Sequence, residues 1–288
     1  MERTMQSFNN STSAYPSLKQ TWGLLFITLL VALFVNLLLL AVNQLSAALG
    51  QSNWGQQFLS HSLTFLLTYI AIFVFIIWLG IRKKSRVEGG FAPDFSLPSI
   101  VVMLMIAFGT LGLYFLIDPV VELIPMPKFV ERIFLELLGD QDIWTVFAVV
   151  VAAPICEELL LRGIILDGLL KLYPPKKAII WSALFFGFFH LNPWQFIPAV
   201  AIGIYIGWIY YRTRSLLLAM WIHFVANGTG ALLGYVLLPE ADQMVPTRDL
   251  FQNDTLYAGL LVLSAIALTI SILYLAQKLK TETTEAVG

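Results

Sequence analysis

Residues 153–163 read APICEELLLRG. The twelve positions from Trp144 to Ile155 carry no charge; then Glu157 and Glu158 stand side by side, and Arg162 follows four residues after the second. A charged side chain at the centre of a membrane helix costs about 2.5–3.5 kcal/mol on insertion scales. Three ionisable groups inside such an apolar run therefore require a reason.

The rest of the chain makes the membrane reading general. Of 288 residues, 58% are hydrophobic and 12% charged, and the mean hydropathy is +0.80. Soluble domains run near about 45–50% apolar and about 25% charged. The net charge of −1 gives no field for nucleic acid, and the single cysteine, Cys156, excludes an intramolecular disulfide and a Cys-rich metal site. Residues 1–21 are mostly polar and do not read as a cleavable signal, so the first apolar run is expected to be a retained span.

Eight apolar stretches are expected to form helices of an all-α, polytopic membrane protein: 22–46, 59–81, 97–117, 143–170, 178–191, 196–211, 216–238 and 256–277. Two of them, 178–191 and 196–211, are short and are separated by a turn signal, Asn192-Pro193-Trp194-Gln195. Short spans at membrane depth suit a protein-lined or water-filled surrounding. With both termini inside, thirteen Lys and Arg fall on the cytoplasmic side and three outside, and Arg162 lies within a span. The expected protein is an integral, multi-pass membrane protein with both termini cytoplasmic, in the plasma membrane if the cell is prokaryotic.

Helical geometry divides the charges. Glu158 and Arg162 are i and i+4 and can pair on one face; Glu157 is turned about 100° from Glu158 and stays off that face. Pro154 removes a backbone donor and is expected to free the carbonyl of Val150, opening the helix just before the glutamates. Of the three histidines, His61 reads as an interfacial packing residue. His190 ends FFGFFH, and His223 lies in MWIHFVANGTG with Asn227 at i+4. Counted from the cytoplasmic ends, His223 lies roughly 10 Å and His190 roughly 18 Å into the membrane. Glu157 is expected in the same half, so one polar cavity open to the cytoplasm can hold all of them. Together a glutamate, two imidazoles and an amide can activate water and stabilise an oxyanion. Cys156 reads as packing.

The motifs EELLLR (157–162), FGFFH (186–190) and HFVAN (223–227) read as EExxxR, FxxxH and HxxxN, in that order on three spans. This pattern resembles the CAAX-protease and bacteriocin-processing family of intramembrane proteases, which includes the type II CAAX prenyl endopeptidases. The resemblance covers about residues 143–238 and sets a division into a polar segment 1–21, helices and loops over 22–142, a catalytic core over 143–238, and an outer loop, last helix and tail over 239–288. It implies an intramembrane endopeptidase in which Glu157 and His190 activate water, His223 and Asn227 stabilise the oxyanion, and Glu158 and Arg162 support them. The implied substrates are a peptide or membrane protein, such as a prenylated C-terminus or a bacteriocin or pheromone precursor, with membrane lipid around the site. Glu157, His190 and His223 are also candidate ligands for a divalent metal such as zinc, although HExxH is absent; a metal-free, glutamate-activated water is the other option. A catalytically idle relative, acting as a scaffold or an immunity protein, is the alternative function.

Overall fold

The computed structural model describes residues 13–50, 55, 57–58, 61–132, 142–236 and 247–279. Among them there is no strand, only an isolated bridge between Asp94 and Ser215. Helix α1 (Leu18–Ala48) starts at a capping box between Ser17 and Gln20, which satisfies two end donors reciprocally. Helix α2 (Ser62–Glu88) starts at His61, whose Nδ1 accepts from the Leu63 amide, and stops at Gly89 in the left-handed region (φ 82). His61 thus caps a helix, a task that its position just before an apolar run allows. Helix α3 (Ile100–Glu122) is capped by Ser99. Helix α4 (Ile143–Leu172) is capped by Asp142 and carries the opening stretch.

Helices α5 (Pro175–Phe189) and α6 (Pro193–Thr213) form a hairpin. The expected four-residue turn at 192–195 is instead the start of α6: Asn192 accepts from the Gln195 amide as N-cap, and Pro193 takes the first helical position, where its missing N–H costs nothing. The bend falls one step earlier, at Leu191, which has φ 56. Helix α7 (Leu216–Ala231) runs on into a π turn, Leu232–Val236. A short α8 (Thr247–Phe251) precedes α9 (Asp254–Lys278).

Among the described residues six helices, α1, α2, α3, α4, α7 with its extension, and α9, are long and apolar enough to cross a membrane. Of the eight expected spans, α5 and α6 do not reach that grade. The 15 residues of α5 give about 22 Å, short of a roughly 30 Å hydrocarbon core. Helix α6 is long enough, but two prolines and Gln195 lower its hydropathy.

The buried interior has two main parts. One is built on α4, with Leu160, Ile164, Ile165 and Leu169 packed against Leu24 of α1, Ile76 of α2 and Phe185 of α5. The other joins α3, α6, α7 and α9 through Ile106, Ile206, Ile222 and Leu275. Helices α3 and α9 approach closely at Gly112, where a Cβ would lie 2.6 Å from the Ser264 carbonyl oxygen.

At their C-terminal ends α2 and α4 are joined by charge. Lys84 Nζ, almost wholly buried, lies 2.9 Å from Glu88 and 2.8 Å from Asp167; Lys171 Nζ lies 2.7 Å from each of the same two carboxylates. Lys84 also donates to the Tyr15 carbonyl, and the Tyr15 amide donates to Glu88, so the segment before α1 is tied to the same cluster.

Candidate functional site

The glutamates sit on a helix that is not uniformly α. Helix α4 widens into π geometry over Ala148–Ala152, returns to α over Ala153–Glu158, and widens again over Leu159–Leu166. The first widening explains what Pro154 does. The Ala153 amide already bonds five residues back, to Ala148. In that register the next donor, at position 154, would serve Val149, and proline has none. In this register the Val149 carbonyl is left without that donor. The Asn227 side chain, from α7, fills the gap: its Nδ2 donates to Val149 O at 2.8 Å. One of the two amide hydrogens of Asn227 is thus spent on holding α4, and the other is left for something else.

Glu158 and Arg162 pair as their spacing predicts, Nη1 to Oε1 at 3.0 Å, with both side chains at 0% exposure. The pair is not isolated. Arg162 Nη2 donates to the Gly203 carbonyl on α6 at 3.1 Å, and its guanidinium lies 5.0 Å over the Phe186 ring of α5. Gly203 also lets α6 lie close on α5, because a Cβ there would meet Ala183 and Phe186 at 3.1–3.2 Å. Glu158 Oε1 also lies 2.8 Å from His223 Nδ1. A carboxylate can only accept, so Nδ1 carries a proton and donates. With Nδ1 committed, Nε2 accepts in the neutral ring and donates once the ring is protonated.

That second nitrogen faces Glu157: His223 Nε2 lies 3.9 Å from Glu157 Oε2. This is beyond direct hydrogen bonding and short enough for one small polar group to touch both atoms. The other oxygen, Oε1, accepts from the Tyr69 hydroxyl of α2 at 2.5 Å. The Glu157 side chain is 15% exposed, whereas that of Glu158 is 0%. The two neighbours thus have different surroundings: one is sealed between Arg162 and His223, the other is reachable.

Phe186 joins the remaining pieces. Its ring meets His223 edge-on at 5.2 Å and His190 edge-on at 5.3 Å, so the two imidazoles flank one aromatic ring. His190 is the C-cap of α5, and its Nδ1 lies 3.0 Å from the Phe186 carbonyl, which leaves Nε2 uncommitted. Among the described residues no hydrogen bond joins His190 to Glu157, His223 or Asn227. Nor do any three His, Cys, Asp or Glu side chains among them converge as a metal-holding group. The donor set Glu157, His190 and His223 therefore does not fit a three-ligand metal site in this arrangement. Cys156 is buried in the α4 packing.

A family comparison covers the segment that holds all of these residues except Tyr69. Residues 139–229 match the family described as type II CAAX prenyl endopeptidase Rce1-like. The likeness is confined to this segment. It spans about a third of the chain and takes in α4 to α6 and nearly all of α7. No curated protein and no solved structure gives a significant match. With the helices described above, the chain is a multi-pass membrane protein with a segment similar to that family. Tyr69 lies outside the matched segment, on α2. Nothing in LLTYIAIF separates it from an ordinary membrane aromatic, because its partner is 88 residues away. Phe186 was visible only as the first letter of FxxxH.

Proposed function

We propose that the chain is an intramembrane endopeptidase in which Glu157 activates water. The observation that supports this most directly is the reachable Glu157 carboxylate, 3.9 Å from a histidine nitrogen whose ring is fixed by a fully buried Glu158–Arg162 pair. A water held by Glu157 Oε2 attacks the scissile carbonyl and gives its proton to that oxygen. Protonated His223, through Nε2–H, and the spare amide hydrogen of Asn227 donate to the oxyanion. Glu157 then returns the proton to the leaving amine, and the C–N bond breaks. His190, across Phe186, is the second group that holds the water. Glu158 acts on His223 as the carboxylate does on the imidazole of a Ser-His-Asp triad: it sets the proton-bearing nitrogen and balances the ring's charge. The reaction written this way passes through no metal.

The substrate class is a peptide or membrane protein whose scissile bond reaches the site from the cytoplasmic side. A prenylated C-terminus is the first choice, and a bacteriocin or pheromone precursor the second. The test uses purified protein in detergent with a farnesylated peptide of CAAX sequence and a bacteriocin-type leader peptide as probes. Glu157→Gln keeps the shape and loses the base, so cleavage is expected to fall on the order of 10²–10⁴-fold with the melting temperature unchanged. Prolonged treatment with a chelator is expected to leave the wild-type rate intact. Cleavage of neither probe by the wild type would favour the idle scaffold or immunity protein, and a full rate in Glu157→Gln would remove the proposed base.

A further inference from the structure

The Tyr69 hydroxyl touches Glu157 from a helix that the family match does not reach. Its bond to Oε1, at 2.5 Å, is in the range of a charge-assisted O–H···O⁻ contact. The ring behind it is held by its own helix: Phe73 lies 4.7 Å and Phe65 6.2 Å away, centroid to centroid. The hydroxyl is thus delivered by a rigid aromatic ladder rather than by a free side chain.

The geometry on the other side of Glu157 gives this contact a purpose. Glu157 Oε2 and His223 Nε2 stand 3.9 Å apart. A carboxylate free to turn would close that distance and form a direct ion pair with the imidazole, which itself cannot move because Glu158 holds Nδ1 at 2.8 Å. Closing the gap would remove the place where water is held. Only one described side chain pulls the carboxylate the other way, and that is Tyr69.

We infer that Tyr69 is a positioning residue for the hydrolytic reaction: it pins Glu157 Oε1, leaves Oε2 as the working oxygen, and keeps Glu157 from collapsing onto His223. The inference rests on Glu157 being the base proposed above. It places part of the machinery on α2.

Tyr69→Phe tests it, because the ring and its stacking remain and only the hydroxyl goes. A hydrogen bond to a charged group contributes about 1.5–3 kcal/mol, so kcat for the peptide probe is expected to fall roughly 10- to 100-fold, with KM within about twofold and the melting temperature unchanged. Because Tyr69 acts through Glu157, the double variant Tyr69→Phe with Glu157→Gln should be no slower than Glu157→Gln alone. Phe73→Leu serves as the packing comparison: it should lower the melting temperature and affect kcat less than Tyr69→Phe. Three results would overturn the inference: an unchanged kcat in Tyr69→Phe while Glu157→Gln is inactive, losses that add in full in the double variant, or a Tyr69→Phe defect matched by Phe73→Leu. Full activity in Glu157→Gln is a different failure, because it removes the base itself.

Discussion

Replacing Glu158 by glutamine removes one charge and almost no volume, yet it disturbs two partners at once. Arg162 is fully buried, and among the described residues it then faces a neutral amide oxygen in place of its carboxylate partner, beside the Gly203 carbonyl and the Phe186 ring. Leaving one member of a buried ion pair uncompensated costs about 3–5 kcal/mol. At about 2–4 °C per kcal/mol for a large domain, the melting temperature in detergent should fall on the order of 10 °C. His223 also loses the carboxylate that orients Nδ1, because both of Glu158's bonds land on Oε1. Adding Arg162→Met separates the two effects. With no charge stranded, and a flexible apolar side chain beside Phe186, the double variant should recover part of the lost stability. It should not recover activity, since His223 still lacks its carboxylate. Thermal melts and cleavage rates for the two variants and the wild type decide the matter. If activity returns with stability in the double variant, Glu158 serves only to neutralise Arg162, and the orienting role argued for it is wrong.

Two further outcomes follow from other contacts. Asn227→Ala leaves the Val149 carbonyl without its donor and should cost about 1–3 kcal/mol of stability; Pro154→Ala in that background restores a backbone N–H at the right step and should recover part of it, as a shift in melting temperature would show. Reporter fusions after residues 90 and 127 should report the cytoplasmic and the opposite side respectively, as the Lys and Arg bias requires; the reverse pattern would invert the orientation and the proposed cytoplasmic access with it.

The Glu158–Arg162 pair was legible because i, i+4 spacing needs only a helix, and it survives the π geometry that begins one residue after Glu158. The motif residues were legible because each is a polar group on an apolar segment, where chance polarity is costly. The π turns were not. They depend on which carbonyl each amide reaches, and a helical wheel drawn at a constant 100° assumes that answer; this is why the Val149 carbonyl that Asn227 caps could not be singled out. The second partner of Glu158 and the partner of Glu157 were hidden for another reason. Both contacts cross between helices, over 65 and 88 residues of sequence, and apolar periodicity says which face is buried, not which neighbour it meets. Helices α5 and α6 show the same limit: two short apolar runs look like two spans until length and hydropathy are weighed against the bilayer.

The clamp of Lys84, Glu88, Asp167 and Lys171 has a mechanical meaning beyond its charges. It fastens α2 to α4 at one level, and Tyr69–Glu157 fastens the same two helices at another, fifteen residues up α2 from Lys84, which is about 22 Å. A pair of rods joined at one point can splay like shears; joined at two points that far apart, they move as one plank. Whatever displacement lets a polypeptide reach Glu157, separating α2 from α4 would break both fastenings together. Helix α7 is tied to the same plank through Glu158–His223 and Asn227–Val149, and α6 through Arg162–Gly203.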